Sequence, residues 1–350
     1  MKSGYGKASR SFLERAVLPN LGSDTKEVLV GPGYGLDNAV LGLGPGRVMI
    51  VTTDPVSMIP PLGVSLSAWL SVHLVASDFT TSGLRPMFAT FSFNFPPEID
   101  EDSRENYVAA VGSECKKLGV SIVSGNTGSY PGAGLSVIGA GTMFGFGPRS
   151  GYVDPSMAQE GDSILMTKHA AIEATSTLSL SFPKFIEERI GRRLAGKARR
   201  LIHQCSTVEA ALSATKTGLG RDGITSMHDA TEGGVLGGLS EMASASGKEF
   251  LVNADRIAVP EEVKAACAAF GIDPLTSLSE GTLLMTCNPH AAEAARRGFR
   301  RDGIRVEEIG SVERGSGLRV SKKGRYRTLA KAPADPYWRA YERAKELGYE

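Results

Sequence analysis

The stretch GPGYGLDNAVLGLGPGRVMIVTTD, residues 31–54, decides how the rest of the chain is read. It opens with a glycine-rich loop, Gly31-Pro32-Gly33-Tyr34-Gly35, that delivers an acid and an amide, Asp37 and Asn38. The apolar run at 48–51 predicts a buried strand, ending in Thr52-Thr53-Asp54, two hydroxyls and a carboxylate where the chain leaves the sheet. Glycines let a backbone approach phosphate, and carboxylates hold the cation that accompanies it. Taken alone, the stretch fits a β-turn, a strand and an Asx-turn without ligand equally well.

At 350 residues the chain is long for one core and predicts two α/β domains. The 39 Lys and Arg nearly cancel the 38 Asp and Glu, so no overall field draws nucleic acid or an anionic membrane, and any anion site must be local. No apolar segment is read as approaching the roughly 18 residues that span a bilayer, and MKSGYGKASR lacks a secretory apolar core. The expectation is a cytoplasmic protein with neither a nucleic-acid nor a membrane partner. Cys115, Cys205, Cys267 and Cys287 show no metal-ligand spacing and read as small core residues in a reducing compartment.

Helical spacing predicts a helix over 11–21, limited by Pro19. The arm before it, Gly4-Tyr5-Gly6-Lys7, places a lysine that folds over a phosphate or is simply solvated. A broad apolar helix is expected over 65–79, with His73 inside its packing. Asp78 ends that helix against the macrodipole, a position that invites a cation. In the strand expected over 87–95, Phe91, Phe93 and Phe95 share one face and Phe88 and Thr90 the other. A helix over 101–118 leads to a short buried strand at 120–123, then a small-residue loop at 124–128, and a strand over 135–144 broken by 145–148.

The second half continues the alternation, with strands expected at 163–167, 250–252, 282–287 and 306–312. Helices are expected at 172–180, 185–194, 208–216, 261–270, 290–301 and 336–347, the last as a docked appendage. The basic run 189–193 reads as a solvated helix face. At 226–234, SMHDATEGG precedes an apolar-periodic helix; Thr231 is expected as its N-cap and Gly233-Gly234 as a second anion cradle.

As a set, GPGYGLDNAV, VTTD, ASDFTTSGLRP, VSGNTG, MHDATEGGVLGGLSEMASASG and SEGTLL resemble the AIR synthase (PurM-like) superfamily, and within it the HypE and AIR-synthase-related branch, across about residues 4–325. The resemblance implies an α/β, two-domain PurM-like fold. Residues 1–150 would bind ATP and pair with a second copy in a β-barrel-like core, 151–325 would form a second α/β domain, and 326–350 a helical appendage. It implies ATP and Mg²⁺ as cofactors, with Asp37, Asp54 and Asp78 about the metal. Lys7, Thr53, Gly125, Asn126 and Thr127 would face the nucleotide together with Asp37 and Asp54, and His228 or Asp229 the acceptor. Carboxylates beside a triphosphate make sense only when Mg²⁺ bridges the two.

The activity so implied is activation of an amide-type oxygen, or phosphorylation of a small or protein-carried substrate, by a homodimer. Asn38 and Asn126 stand where the family carries an acid, and an acid or histidine; they favour the alternative of a nucleotide-binding regulator or maturation partner without turnover. The C-terminal carrier cysteine of the HypE type has no counterpart among the last residues, Cys287 being the last cysteine, so the acceptor is expected to be a separate molecule.

Overall fold

The computed structural model describes residues 5–133 and 137–349. The chain enters through a short helix, Arg10–Phe12 (α1), a π-helical turn, Leu13–Val17, and a 3-10 turn, Leu18–Asn20. The single helix expected over 11–21 is thus broken into three pieces. None of their residues is buried, so little tertiary packing enforces one helical geometry.

The first sheet comprises Val28–Val30 (β1), Ala39–Gly42 (β2), Arg47–Val56 (β3), Phe88–Phe95 (β4), Ser121–Ser129 (β5) and Gly139–Pro148 (β6), in the order β1-β2-β3-β6-β4-β5. Only β4 and β5 pair in parallel. Period-two burial puts Val48, Ile50 and Val56 of β3 and Phe91, Phe93 and Phe95 of β4 on one face. There they pack on the helices Gly63–Thr80 (α2) and Glu101–Leu118 (α3). Asp100 caps α3 by accepting from Ser103 N at 2.7 Å, and Gly119 ends it at φ 75°.

The second sheet holds Ser163–Thr167 (β7), Ile224–Ala230 (β8), Glu249–Asn253 (β9), Thr282–Cys287 (β10), Val306–Glu313 (β11), Gly317–Lys322 (β12) and Arg325–Leu329 (β13), in the order β13-β12-β9-β11-β7-β10-β8. Its helices are Ile172–Ser181 (α4), Pro183–Arg200 (α5), Val208–Ala214 (α6), Gly234–Ser246 (α7), Glu261–Phe270 (α8), Pro289–Arg301 (α9) and Tyr337–Glu346 (α10). Every residue of β7, β8 and β10 is buried, because α7 covers one face of the sheet while α6 and α9 cover the other.

Several expectations are corrected by these elements. Asp54 does not mark the end of a strand, since β3 runs on to Val56 and pairs Asp54 with Gly141. The loop expected at 124–128 is strand: β5 continues to Ser129 along β4, and its Ile122 and Val123 are exposed because β5 is the sheet edge. The glycines expected to break β6 lie inside it, paired with β3, while residues 135 and 136 of the strand expected there fall outside the described residues. The 3-10 turn and helix at Pro60–Thr80 are long and apolar enough to cross a membrane, contrary to the sequence expectation. Val72, Val75, Ala76 and Phe79 are, however, packed within the first core.

Candidate active site

Three carboxylates come from the first half. Asp37 follows the glycine-rich loop, Asp54 lies in β3, and Asp78 in the last turn of α2. Thr52 Oγ1 donates to the Asp37 carbonyl at 2.9 Å. Asn38 Nδ2 donates to the Asp78 carbonyl at 2.8 Å and to Thr81 Oγ1 at 3.0 Å. The loop is thereby fastened to β3 and to the end of α2, and Asn38 serves as the tie. Gly35, at φ 78°, lets the loop meet the second half, since a Cβ there would lie 2.6 Å from the Glu241 carbonyl oxygen.

From the second half β8 supplies His228 and Asp229. Asp37, His228 and Asp229 each bring a potential ligand atom within 4.8 Å of the others. Both nitrogens of His228 face carboxylates, Nδ1 at 2.7 Å from Asp37 Oδ1 and Nε2 at 2.9 Å from Glu241 Oε2. The Asp37 contact lacks hydrogen-bond angles and is chiefly ionic. Burial opposes charge on the imidazole, but the two carboxylates outweigh it and raise its pKa to about 10. With both nitrogens engaged, His228 is a buried imidazolium that holds Asp37, and it has no lone pair for a metal. On Glu241 burial works upward, yet Lys7 and His228 keep the carboxyl below its ordinary range.

The other acids are pushed up by burial first and by one another second. Asp54 rises to about 6, with Asp37 adding to burial and Lys7 opposing it. Asp229 rises to about 7, and Asp78 and Glu280 stand well above the usual carboxylate range. Among the described residues, Asp37 Oδ2, both Asp229 oxygens, Glu280 Oε2 and Asn38 Oδ1 are buried without a hydrogen-bond partner. Leaving a buried acceptor unpaired costs about 1–3 kcal/mol, so such oxygens imply a missing cation or donor. An all-oxygen set with several negative charges fits Mg²⁺.

Lys7 reaches the cluster from outside. Its residue is exposed overall, but the ammonium donates to Thr231 Oγ1 at 2.6 Å and its backbone N–H donates to Glu232. Burial of the ammonium disfavours its charge. Glu241, Asp78, Asp229 and Asp37 outweigh that effect and hold its pKa above the ordinary lysine value.

Of the residues singled out by sequence, the structure brings together Lys7, Asp37, Asp54, Asp78, His228 and Asp229, and leaves the others apart. Thr53 is exposed and shares a 2.6 Å hydrogen bond with Thr142. Gly125, Asn126 and Thr127 lie on the edge strand β5, separated from β3 by β6 and β4, and Asn126 Nδ2 donates to Tyr130 Oη at 3.4 Å. A groove of about 800 Å³ beside Thr127 and Gly128, lined also by Phe95 and Arg104, includes none of the clustered carboxylates. Thr231 is not the α7 N-cap; Gly233, at φ 81°, holds that position, and its N–H is already taken by Asp335.

Sequence reasoning missed Glu241 and Glu280. An acid on the apolar face of a helix with Leu236, Leu239 and Met242, and another between Ser279 and a buried strand, were the available signals. Buried acids are rare unless partnered.

Residues 35–146 match the AIR synthase related protein N-terminal domain, and residues 159–323 its C-terminal domain. The chain is 27% identical to carbamoyl dehydratase HypE of Cupriavidus necator over 292 residues, covering 79% of this chain and 77% of that one. It is 29% identical to the carbamoyl dehydratase HypE of Azotobacter vinelandii over 286 residues, covering 79% and 78%. Among solved structures, E. coli HypE superposes with a TM-score of 0.71 at 21% identity, covering 94% of this chain and 97% of that one. HypE in complex with ATP gives 0.65 at 22% identity, covering 95% and 97%. AaThiL complexed with AMPPCP and TMP gives 0.65 at 19% identity, covering 83% and 88%. At these identities the structural likenesses establish the fold.

Proposed function

The chain belongs to the AIR synthase related family, and from that membership we propose that it is an ATP- and Mg²⁺-dependent enzyme that activates an amide-type oxygen or phosphorylates a small or protein-carried acceptor. The observation that carries this reading is the meeting of Asp37, Asp54 and Asp78 from one half with Asp229 from the other, with buried oxygens unpartnered. In the proposed site Asp37, Asp54 and Asp78 would hold Mg²⁺, whose charge would neutralise the phosphates and polarise the transferred phosphoryl group. Lys7 meets the phosphates from above. His228, paired on both sides, keeps Asp37 in place. As the acceptor oxygen bonds to phosphorus and ADP leaves, the acceptor's proton passes to Asp229.

We assign Thr53, Gly125, Asn126 and Thr127 to the part of the nucleotide cleft completed by a second copy of the chain. The outward face of the first sheet supports that pairing. Phe88 is half-buried and meets Phe144 at 5.5 Å and Phe146 at 6.2 Å between ring centroids, and Ile122 and Val123 are exposed on the β5 edge. Apolar surface beside an unpaired strand is what a homodimer covers. Residues 1–150 then form the nucleotide and dimerisation unit, 151–325 the second domain and 326–350 the appendage. A cytoplasmic location is part of the same reading, supported by the proposed ATP use and by four free, buried thiols.

A nucleotide-binding regulator without turnover is the second reading. It is favoured by Asn38, which ties the loop to α2 where the family carries an acid. Titration calorimetry of ATP with and without Mg²⁺ tests binding, and phosphate release in the presence of carboxamide substrates tests turnover. No Mg²⁺-dependent ATP binding overturns both readings; binding without release under any substrate favours the second.

A further inference from the structure

We propose that the segment at 333–338, just past the last strand, is a strap that positions the N-terminal arm over the cleft, with Asp335 and Trp338 as positioning residues for Lys7. The proposal rests on the reading of Lys7 as a nucleotide ligand and deepens it. The strap lies beyond the family match, which ends at residue 323.

The contacts form a continuous chain. Asp335 Oδ2 accepts from Gly233 N at 2.8 Å and Oδ1 from Tyr337 N at 2.8 Å, so the cradle expected to hold an external anion is filled by the protein's own carboxylate. Trp338 Nε1 donates to Glu232 Oε1 at 2.9 Å, and the other Glu232 oxygen accepts from Lys7 N. Tyr5 stacks on Trp338 with ring centroids 6.2 Å apart. Gly6, at φ 92°, makes the close approach possible, because a Cβ there would lie 2.5 Å from Glu232 Oε1. On the other side of Lys7, Arg10 donates to Ser244 Oγ at 2.8 Å and lies over the Tyr34 ring at 5.1 Å. The support is rigid, since Tyr337, Ala340 and Ala344 of α10 are buried in a core with Phe182 and Leu278.

An arm held at both ends presents Lys7 without ordering it anew at each binding event. A ligand that needs the closed arm binds with an apparent affinity reduced by the fraction of time the arm is open. Losing one hydrogen bond of the chain shifts that balance about fivefold.

The test uses the full chain and Trp338→Phe, which keeps the aromatic surface but removes the indole N–H, with Glu232→Gln as a second variant whose single side-chain oxygen can accept from Trp338 or from Lys7 N but not from both. Amide hydrogen exchange of residues 5–12 is followed without ligand, and Mg-ATP affinity is measured in parallel. The expected result is up to about fivefold faster exchange of the arm in Trp338→Phe, unchanged exchange in β8 and α7, and a fall in Mg-ATP affinity set by the closed fraction lost, with Glu232→Gln, which also gives up one hydrogen bond of the chain, shifted in the same direction. Unchanged arm exchange in Trp338→Phe, beside a parent that binds Mg-ATP, overturns the strap alone. Faster exchange with parental Mg-ATP affinity overturns its positioning role. A parent that binds no Mg-ATP overturns the nucleotide reading itself, whatever the arm does.

Discussion

His228 Nδ1 stands 2.7 Å from Asp37 Oδ1, and the two residues come from opposite halves of the chain. The pair is buried, and the same imidazolium also holds Glu241. Replacing His228 with Ala leaves two buried carboxylates without their cation, a change that typically costs about 3–5 kcal/mol. Urea denaturation of His228→Ala should show that loss, with part of it recovered on adding Mg²⁺. A variant with the parent's midpoint would mean the pair contributes nothing.

If the clustered carboxylates hold Mg²⁺, replacing Asp37, Asp54 or Asp78 singly with Asn should weaken Mg²⁺-dependent ATP binding by about tenfold or more, equivalent to roughly 1.4 kcal/mol each. Calorimetry at fixed Mg²⁺ reads it directly. Parental affinity in all three variants would remove the metal assignment.

In the proposed homodimer, single charges placed on the exposed edge of β5 should shift the oligomeric state. Sedimentation should give a dimer at micromolar concentration for the parent and a monomer for Ile122→Lys or Val123→Lys. A monomeric parent rejects the pairing.

Lys168 offers a pH signature away from the carboxylate cluster. Its ammonium donates to the carbonyls of Gln204 at 2.8 Å and Ser206 at 2.6 Å, and burial lowers its pKa to about 8, with Cys205 and Glu209 opposing. The unfolded chain therefore binds more protons between about pH 8 and the ordinary lysine value of 10.5. Stability from this group rises with pH across that window and is lost as pH falls through about 8. Comparing urea midpoints of the parent and Lys168→Met from about pH 7.5 to about pH 10 should show a flatter slope in the variant. Parallel slopes would exclude Lys168 as the titrating group.

The thiols of Cys115, Cys267 and Cys287 are pushed up to about 12 chiefly by burial, and Cys205 well above its ordinary value. A carbamoyl donor with ATP should therefore leave no adduct on any of the four. An intact-mass shift abolished by replacing one cysteine would overturn that expectation.

Where local chemistry dictates structure, the sequence was enough. The α3 limits follow from an acid at the start and a left-handed glycine at the end, and β7 and β10 from unbroken apolar runs. The edge strands were less legible. β5 passes through Gly125 and Asn126 with polar residues on both faces, because it borrows its order from β4. β12 and β13 carry a thin apolar signal, Leu318 and Val320, among charged residues. In the site, Asp37, Asp54, Asp78, His228 and Asp229 are singled out by the residues and the resemblance together, and they lie near one another in the fold. The His228–Glu241 contact and the strap at Asp335 join residues distant in sequence, and no local pattern announces such contacts.

Because the carboxylate cluster draws on both halves, its completion follows the order of synthesis. The first sheet closes when β6 leaves the ribosome, whereas β8 and α7, which bring His228, Asp229 and Glu241, emerge much later. N-terminal domains generally fold first during synthesis. A nascent chain with a finished first sheet thus lacks Asp229 and the cation that holds Asp37, and the proposed capture of metal and nucleotide would begin only once the second half docks. Stalled chains ending near residue 150 should retain no Mg²⁺-dependent nucleotide, and retention by them would contradict this order.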